Sequence, residues 1–511
     1  MTVFIHSTFI FVYTGVMLKK MQKLFIAIAF IAGYLIMSLE LIGFRILAPF
    51  FGNSIYVWGS LIGLILSALA AGYYFGGWLA DHWPQERVLM GLFGATTIFL
   101  LAALFFYRAL LEYLVQFDII FGSLTASFLI FGIPMVVLAA VSPLVIKTLA
   151  GQEPTGRSAG LVYAWATIGS LLGTFLTAFF LIPYFGSRLT FFSCFFLSLL
   201  VLVILFLING KKNIWLVGLA FLISLFGLRQ PVLPANVMLE TESAYNQIRL
   251  VDTQKFILLT LNSQRYVLSQ SAYVKDGTLF RFSLIDLFSI GPAIRPVKNL
   301  LILGMSGGAS VRQFQQFFPE IKIDAVEIDP KIIEIAQKSF GIKESDGLSI
   351  FEADARPFLA KSDKKYDMVE IDLFQGNPYI PFYVVTREFF QSVLAHLNDQ
   401  GLIMMNIFAP GQQEILEPVL ATMKSVFPSV FTVPIYDNVL VVATRSSTNA
   451  EEIKNQIENS QAKISSDLKL AANYFLDFME EYQANKKAPI LTDDWAPVET
   501  ITFKMLSGLR L

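Results

Sequence analysis

Residues 300–310 have the sequence LLILGMSGGAS, in which an apolar run ends at a cluster of glycines and a helical pattern begins at once. A second apolar run ends at Glu327, within the sequence VEID. The order of strand, glycine-rich turn, helix, strand and acid is typical of the nucleoside-binding half of a doubly wound α/β sheet. We therefore predict that Glu327 binds ribose hydroxyls, the alternative being a solvated acid that caps the next helix. The turn glycines are Gly304, Gly307 and Gly308, and their spacing differs from the G-x-G-x-x-G pattern of dinucleotide sites.

The sequence around this turn alternates between strand and helix patterns, which predicts a parallel sheet with right-handed crossovers. Strands are predicted at 299–304, 322–327, 348–351, 366–372 and 401–407, and helices at 309–318, 330–340, 385–398 and 411–426. A final strand pair, 429–434 and 438–444, fits an antiparallel edge. Before the turn, the segment 238–292 contains short runs of period two, which predict a small β-meander.

Two further acids end predicted strands. Asp354, followed by Ala355, is placed to accept from an adenine amino group or to cap the next helix, and both interpretations remain open. Asp372 ends the fourth strand, and ligands of such sheets bind beyond the carboxyl ends of the strands. Glu370 lies on the same face as Asp372 but deeper. We therefore assign the chemistry to Asp372.

The first half of the chain predicts a membrane protein. The 511 residues are 55% hydrophobic and 15% charged, with a mean hydropathy of +0.61, whereas a soluble domain is about 25% charged. Spans are predicted at 24–48, 54–80, 88–107, 118–147, 158–183, 187–209 and 213–228, of which the last is short. The pairs Gly72/Gly76 and Gly169/Gly173 predict close helix packing.

The charges near the predicted spans indicate a topology. Lysines precede the first span at 19–23 and follow the sixth at 211–212, and the positive-inside rule places both groups in the cytoplasm. Six spans therefore predict a cytoplasmic C-terminal domain. Glu40 and Arg45 fall within the first span, which predicts either an ion pair or a polar site inside the bundle.

Other features exclude some classes of function. The net charge of −1 gives no argument for nucleic acid binding. The single cysteine, Cys194, excludes internal disulfides and cysteine-rich metal sites. The histidines are scattered at His6, His82 and His396, so no metal site is expected.

The soluble half resembles spermidine synthase and related aminopropyltransferases. The resemblance rests on ESAYNQI at 242–248, the glycine-rich turn, VEIDP at 326–330, Asp354-Ala355 and the segment from Tyr366 to Asp372. The whole chain resembles bacterial proteins that fuse a multi-span, transporter-like membrane region to such a domain. The stretches that carry this second resemblance are 40–49, 72–81 and 491–497.

Together these features predict a multi-pass α-helical membrane domain over 1–230, a small β domain over 236–292 and a Rossmann-like methyltransferase-type domain over 293–511. The resemblance implies transfer of an aminopropyl group from decarboxylated S-adenosylmethionine to a diamine such as putrescine, with Asp372 taking the ammonium proton. The substrate contacts that it implies are Tyr245, Gln247, Tyr273 and Gln375. The expected partners are a small amine and the lipid bilayer of the cell membrane, and a homo-oligomer remains open.

Three departures from the family pattern leave alternatives open. Gly307 replaces the aspartate that holds the aminopropyl amine, Gln375 replaces a second aspartate, and Val274-Lys275 replaces the His-Glu of a Tyr-His-Glu motif. One alternative is an S-adenosylmethionine-dependent methyltransferase on the same fold, since the change at Gly307 suits a cofactor that keeps its carboxylate. Another is a transport or sensing protein that binds a nucleoside or polyamine without turnover.

Overall fold

The computed structural model describes residues 2–52, 54–151, 154–209, 218, 221–223, 233–262, 269–279, 281, 283–374, 380–410, 414–460, 465–485 and 487–508. The chain divides into two compact units, Met1–Val232 and Leu233–Leu511. The finer division predicted within the second unit, at residue 292, stays a prediction.

The N-terminal unit is helical throughout its described part. Its helices are α1 (Thr2–Phe51), α2 (Ile55–His82), α3 (Gln85–Leu114), α4 (Ile119–Ser127), α5 (Ile133–Ala139), α6 (Val141–Ala150), α7 (Thr155–Leu176) and α8 (Ile182–Ile208). Two π-helical turns, Phe128–Gly132 and Thr177–Leu181, join α4 to α5 and α7 to α8.

Five helices of this unit are long and apolar enough to cross a membrane. They are Met21–Phe51, Ile55–His82, Gln85–Leu114, Ile119–Ala150 and Thr155–Ile208. The predicted fifth and sixth spans, 158–183 and 187–209, thus belong to one helical stretch, which is kinked at Gly186 with φ +76°. The predicted seventh span, 213–228, lies outside the described residues except at 218 and 221–223.

Glycines allow close contacts between these helices. A Cβ on Gly169 of α7 would lie 2.0 Å from the carbonyl oxygen of Phe30 in α1. A Cβ on Gly72 of α2 would lie 2.4 Å from the carbonyl oxygen of Val136 in α5. Both glycine pairs therefore pack backbone against backbone, as their spacing predicts. The pairing of Glu40 with Arg45 stays a prediction.

The C-terminal unit begins with a four-stranded antiparallel sheet, as the alternating pattern predicts. Its strands are β1 (Val237–Glu242), β2 (Gln247–Asp252), β3 (Phe256–Leu261) and β4 (Ser269–Val274), in the order β1-β2-β3-β4. Ile248 and Leu259, both fully buried, share a core with Ile332, Ile335 and Phe340 of the following domain.

The second sheet has eight strands in the order β12-β10-β11-β9-β8-β5-β6-β7. They are β5 (Asn299–Leu303), β6 (Lys322–Glu327), β7 (Leu348–Glu352), β8 (Tyr366–Ile371), β9 (Leu397–Phe408), β10 (Ser429–Ile435), β11 (Asn438–Thr444) and β12 (Glu480–Glu481). The five strands from β9 to β7 are parallel, and the remaining pairs are antiparallel. This is the predicted Rossmann-like methyltransferase-type fold, whose strand order reverses between β5 and β8.

Helices connect and cover these strands. They are α9 (Leu284–Phe288), α10 (Gly291–Ile294), α11 (Ala309–Phe317), α12 (Pro330–Ser339), α13 (Ala355–Lys361), α14 (Arg387–Ala395), α15 (Leu416–Lys424), α16 (Ala450–Ser460), α17 (Lys469–Phe478) and α18 (Val498–Gly508). The prediction of helix up to residue 398 is wrong, because Leu397 already pairs with Tyr366 of β8 and begins β9.

Candidate active site

The glycine-rich turn joins β5 to α11 and passes the end of β8. Gly304 has φ +95°, and a Cβ there would lie 2.2 Å from the carbonyl oxygen of Asp372. Gly308 has φ +76° and directly precedes α11 as its N-cap residue. A side chain at position 304 is therefore excluded both by backbone conformation and by close approach.

Position 307 requires a glycine because of packing and not because of its backbone conformation. A Cβ there would lie 2.7 Å from the ring edge of Phe340 and 2.7 Å from Oγ of Ser271 in β4. An aspartate at this position would require both neighbours to move. The missing acid thus coincides with a turn that is closed in by the small sheet and by Phe340, which follows α12.

Glu327 ends β6 beneath this turn. Its carboxylate accepts hydrogen bonds from the backbone N–H of Ser306 at 2.9 Å and of Asp329 at 3.1 Å. The side chain is 8% exposed, and this burial raises the pKa of Glu327 to about 7. The structure therefore brings Glu327 to the turn, while its bond to a ribose stays a prediction.

Asp329 is a site residue that the sequence reasoning missed. It is fully buried and caps α12 by accepting from the N–H of Lys331 at 3.0 Å. It also accepts from Oγ of Ser243 at 2.5 Å and from Nδ2 of Asn246 at 2.9 Å. The β1–β2 loop is thereby held at the start of α12, next to the end of β6. The sequence signal at this position is an aspartate before a proline at the start of a helix. This signal is typical of a helix cap and does not indicate bonds to a distant loop.

Tyr245 and Gln247 lie at this loop. Tyr245 is 43% exposed, and its pKa is raised by partial burial and then by the nearby charge of Asp329. The side chain of Gln247 donates to Oε1 of Glu240 at 3.1 Å across the small sheet. Tyr245 is therefore available to a ligand, whereas Gln247 is already bonded to a neighbouring strand. Both substrate contacts stay predictions.

Asp354 makes the helix cap that was one of its two predicted roles. Its carboxylate accepts from the N–H of Arg356 at 2.9 Å, which caps α13 at Ala355. It also accepts from the hydroxyl of Tyr383 at 2.9 Å, and burial together with this bond raises the pKa of Tyr383. The adenine contact of Asp354 and Ala355 stays a prediction. Tyr383 was not found from sequence, because its partner lies 29 residues away.

Asp372 follows β8 at the carboxyl edge of the sheet. Its backbone N–H donates to the carbonyl of Leu303, the residue before the glycine-rich turn, at 2.9 Å. Nδ2 of Asn406 in β9 donates to its carboxylate at 2.9 Å. Burial raises the pKa of Asp372 above the usual range of aspartate. Asp372 is therefore held in one orientation next to Gly304, as the strand pattern predicts.

Glu370 lies deeper on the same strand, also as predicted. It is 2% exposed and accepts from Oγ of Ser310 at 2.8 Å. Burial, to which the charge of Asp372 adds, raises the pKa of Glu370 to about 8.

The last two predicted substrate residues have different outcomes. Tyr273 stacks on Phe340 with ring centroids 5.8 Å apart, and the guanidinium of Arg312 lies 4.5 Å from the centroid of its ring. Through these two contacts Tyr273 packs the four-stranded sheet against α11 and against the end of α12. Gln375 lies outside the described residues. The substrate roles of both stay predictions.

The C-terminal stretch 491–497 braces one wall of the site. Asp493 accepts from Nη2 of Arg356 at 2.6 Å and from Oγ1 of Thr386 at 2.7 Å. The first residue belongs to α13, and the second begins α14, which follows the segment that carries Tyr383. Asp493 thus fixes the two elements between which Asp354 and Tyr383 bond.

Parts of the chain are similar in sequence to known proteins. Residues 290–458 match the spermine/spermidine synthase domain. The probable polyamine aminopropyl transferase of Bifidobacterium longum is 32% identical over 290 residues, which are 52% of this chain and 62% of that protein. The polyamine aminopropyltransferase of Vibrio vulnificus is 25% identical over 293 residues, 55% of this chain and 96% of that protein.

A second kind of relative is a methyltransferase. The human eEF1A lysine and N-terminal methyltransferase is 30% identical over 143 residues, which are 26% of this chain and 20% of that protein. Residues 290–458 are thus similar to the spermine/spermidine synthase domain, and the similarity to polyamine aminopropyltransferases extends over about half of the chain.

Proposed function

We propose that the C-terminal unit transfers an aminopropyl group from decarboxylated S-adenosylmethionine to a diamine such as putrescine. The observation that carries the proposal is the convergence of Gly304, Glu327 and Asp372 at the carboxyl ends of β5, β6 and β8, where ligands of such sheets bind. The relatives named as polyamine aminopropyltransferases support the same reaction.

The donor needs groups that hold its adenosine part. A carboxylate offers about four lone-pair sites, and two backbone N–H groups occupy only part of those of Glu327. Its remaining sites suit the two ribose hydroxyls. The absence of side chains at Gly304 and Gly308 lets the turn pack closely against Asp372 and Ile342 with positive φ at both positions.

The reaction is a displacement at carbon. The diamine nitrogen forms a bond to the aminopropyl carbon next to the sulfonium, the carbon–sulfur bond breaks, and the neutral thioether methylthioadenosine leaves. The nitrogen must be neutral to attack, although alkylamines are protonated near neutral pH. Asp372 accepts the proton in this proposal, and the bond from Asn406 fixes its orientation. Its raised pKa makes it a stronger base than an exposed aspartate.

Product analysis tests this function. Purified full chain in detergent, incubated with decarboxylated S-adenosylmethionine and putrescine, should yield spermidine and methylthioadenosine. Asp372→Asn should lower turnover by about 10²–10⁴-fold, while methylthioadenosine binds within about threefold of wild type. Asp324→Asn, at a buried acid of β6 bonded to Lys364 and Tyr366, is the matched control. Unchanged turnover in Asp372→Asn would contradict the assigned role.

A methyltransferase is the second candidate. It is favoured by the methyltransferase relative and by Gly307, where packing leaves no room for an acid that would hold the aminopropyl amine. Incubation with S-adenosylmethionine and a set of amines separates the two functions. Methylated amine together with S-adenosylhomocysteine would replace the aminopropyl proposal.

We also propose that the N-terminal unit anchors this domain in the cell membrane with the C-terminal unit in the cytoplasm. The five long apolar helices support insertion, and the lysines at 19–23 and 211–212 support this topology. A reporter fused after the last residue should be active only inside the cell. Activity outside would contradict the topology, and recovery of the chain in the soluble fraction would contradict the anchor.

A further inference from the structure

Glu370 is a buried acid for which the proposed reaction has no use. Its side chain is 2% exposed, and it stands in register with Ile302 of β5 and Met404 of β9, both fully buried. Within the described residues its hydrogen-bond donor is Oγ of Ser310 at 2.8 Å. An acid in such an apolar layer costs free energy when it ionises without a partner.

The position of Glu370 connects it to the site. Side chains alternate along a strand, so Glu370 and Asp372 share one face of β8 and lie about 7 Å apart along it. Ser310 belongs to the first turn of α11, directly after the glycine-rich turn. The carboxyl group of Glu370 therefore lies beneath the crevice between this turn and Asp372.

The residues in register with Glu370 and its hydrogen-bond donor are uncharged, and the one cation of α11, Arg312, lies over the ring of Tyr273 and donates to the carbonyl of Gly277. The facing residues are Ile302 on β5, Met404 on β9 and Ser310 on α11. The nearest acid on α9, Asp286, is itself bonded to Arg281 and to Gln313. Asp372 is a second acid on the same side. A positively charged ligand atom in the crevice would thus meet two carboxyl groups on one face of β8.

We propose that Glu370 gives the site its preference for a cationic sulfonium donor over the neutral thioether product, acting through its charge from beneath the turn. This inference rests on the proposed adenosyl-sulfonium site but not on which group the enzyme transfers. A charge that favours the sulfonium and not the thioether strengthens donor binding without retaining the product. Glu370 is thus a specificity-determining residue that acts without touching the ligand.

The protonation of Glu370 supports this role. Its pKa of about 8 means that most empty sites carry it protonated at pH 7. A nearby cation favours the ionised form of a carboxyl group. Binding of a sulfonium ligand should therefore release more protons than binding of its thioether, because both ligands present the same ribose to Glu327 and only the sulfonium adds a positive charge near Glu370.

The test uses two matched pairs of ligands. Each pair contains a sulfonium and its thioether: decarboxylated S-adenosylmethionine with methylthioadenosine, and S-adenosylmethionine with S-adenosylhomocysteine. Dissociation constants are measured by calorimetry on the full chain in detergent. Glu370→Gln keeps the shape and an acceptor for Ser310 but removes the charge. It should weaken sulfonium binding on the order of tenfold and leave thioether binding within about twofold.

Control variants and a second measurement test whether this result is due to the charge of Glu370. Glu370→Asp keeps the charge and should keep the preference for the sulfonium, and so should Ser310→Ala. Asp324→Asn removes a buried acid elsewhere in the sheet and should change neither ligand class. Calorimetry of the wild type at pH 7 in buffers of different ionisation enthalpy measures proton release, and it remains informative if Glu370→Gln does not fold.

Several outcomes would overturn the inference. They are equal weakening of both ligand classes in Glu370→Gln, no weakening of either, proton release that is the same for sulfonium and thioether, and a wild type that binds neither ligand of a pair. Failure of the proposed function looks different. In that case the chain forms no spermidine, yet the preference for the sulfonium can still be measured with the S-adenosylmethionine pair.

Discussion

The two units bury their polar groups in different ways. In the described part of the N-terminal unit, every buried polar side chain is serine or threonine. The C-terminal unit also buries five acids, Asp286, Asp324, Glu327, Asp329 and Glu370. A hydroxyl can bond to a carbonyl of its own helix, as Thr97 does to Phe93 at 2.7 Å, whereas a carboxylate needs donors from elsewhere. Within the described residues, fully buried acids are thus confined to the C-terminal unit.

The strongest challenge to this comparison is removal of Asp329. Asp329→Ala removes an acceptor that Ser243, Asn246 and the first turn of α12 share. We expect the C-terminal unit to lose about 3 kcal/mol or more of its free energy of unfolding. Calorimetry of the full chain in detergent measures this, and the transition that methylthioadenosine shifts identifies the C-terminal unit. The transition of the N-terminal unit should not move, and a shift there would break the comparison.

The pH dependence of stability should also differ between the units. The pKa values of Glu327 and Glu370 rise from 4.5 in the unfolded chain to about 7 and about 8 in the folded protein. At a pH between the unfolded and the folded pKa, the folded state therefore binds more protons than the unfolded state. Stability contributed by the protonated forms is therefore lost as pH rises from about 5 to 8. We expect a fall on the order of 3 kcal/mol in the C-terminal unit.

Calorimetry at pH 5, 6, 7 and 8 measures this fall. The combined substitution Glu327→Gln and Glu370→Gln should flatten the profile, while the buried hydroxyls of the N-terminal unit do not titrate in this range. A C-terminal unit that becomes more stable with rising pH would contradict the sign.

Substitution of a glycine in the N-terminal unit should have a smaller effect on stability, and this effect should fall on the N-terminal unit instead of the C-terminal unit. Gly169→Ala places a Cβ 2.0 Å from the carbonyl oxygen of Phe30, so α7 and α1 must separate. We expect a loss of about 2 kcal/mol in the N-terminal transition, with the affinity for methylthioadenosine unchanged. Gly91→Ala in α3, where no atom lies within 4 Å of the new Cβ, is the control and should be neutral or slightly stabilising.

The smallest expected effect concerns a buried hydroxyl pair. Oγ1 of Thr177 donates to Oγ of Ser38 at 2.9 Å between a π-helical turn and α1. Thr177→Val should cost about 1 kcal/mol in the N-terminal transition. Combining it with Ser38→Ala should cost less than the sum, because both changes remove the same hydrogen bond. Additive losses would show that the pair contributes little.

The sequence predicts those parts of the site that depend on local pattern. The turn at Gly304, the acid at Glu327 and the acid at Asp372 each follow an apolar run, and parallel strands bring such ends to one edge. Contacts between distant segments carry no such local signal. The bonds of Asp329 to Ser243 and Asn246 span more than 80 residues, and the packing of Phe340 on Gly307 depends on where two elements meet. The fold is therefore more predictable than the connections within the site.

Element boundaries show the same limit. The predicted helix over 385–398 extends into β9 because Leu397 keeps the four-residue spacing of the buried Phe389 and Val393, and only its pairing with β8 identifies it as strand. The predicted fifth and sixth spans are divided at 183–187, yet the chain there stays one helical stretch that is kinked at Gly186. In both cases the deciding contact is not contained in the segment itself.

The brace at Asp493 has a consequence for biosynthesis. Asp493 joins α13 to the start of α14, and it is synthesised more than 100 residues after both. The wall that contains Asp354 and Tyr383 cannot be complete on a nascent chain until this late segment has left the ribosome. The order of synthesis thus places completion of this wall after every strand of the sheet behind it has been made.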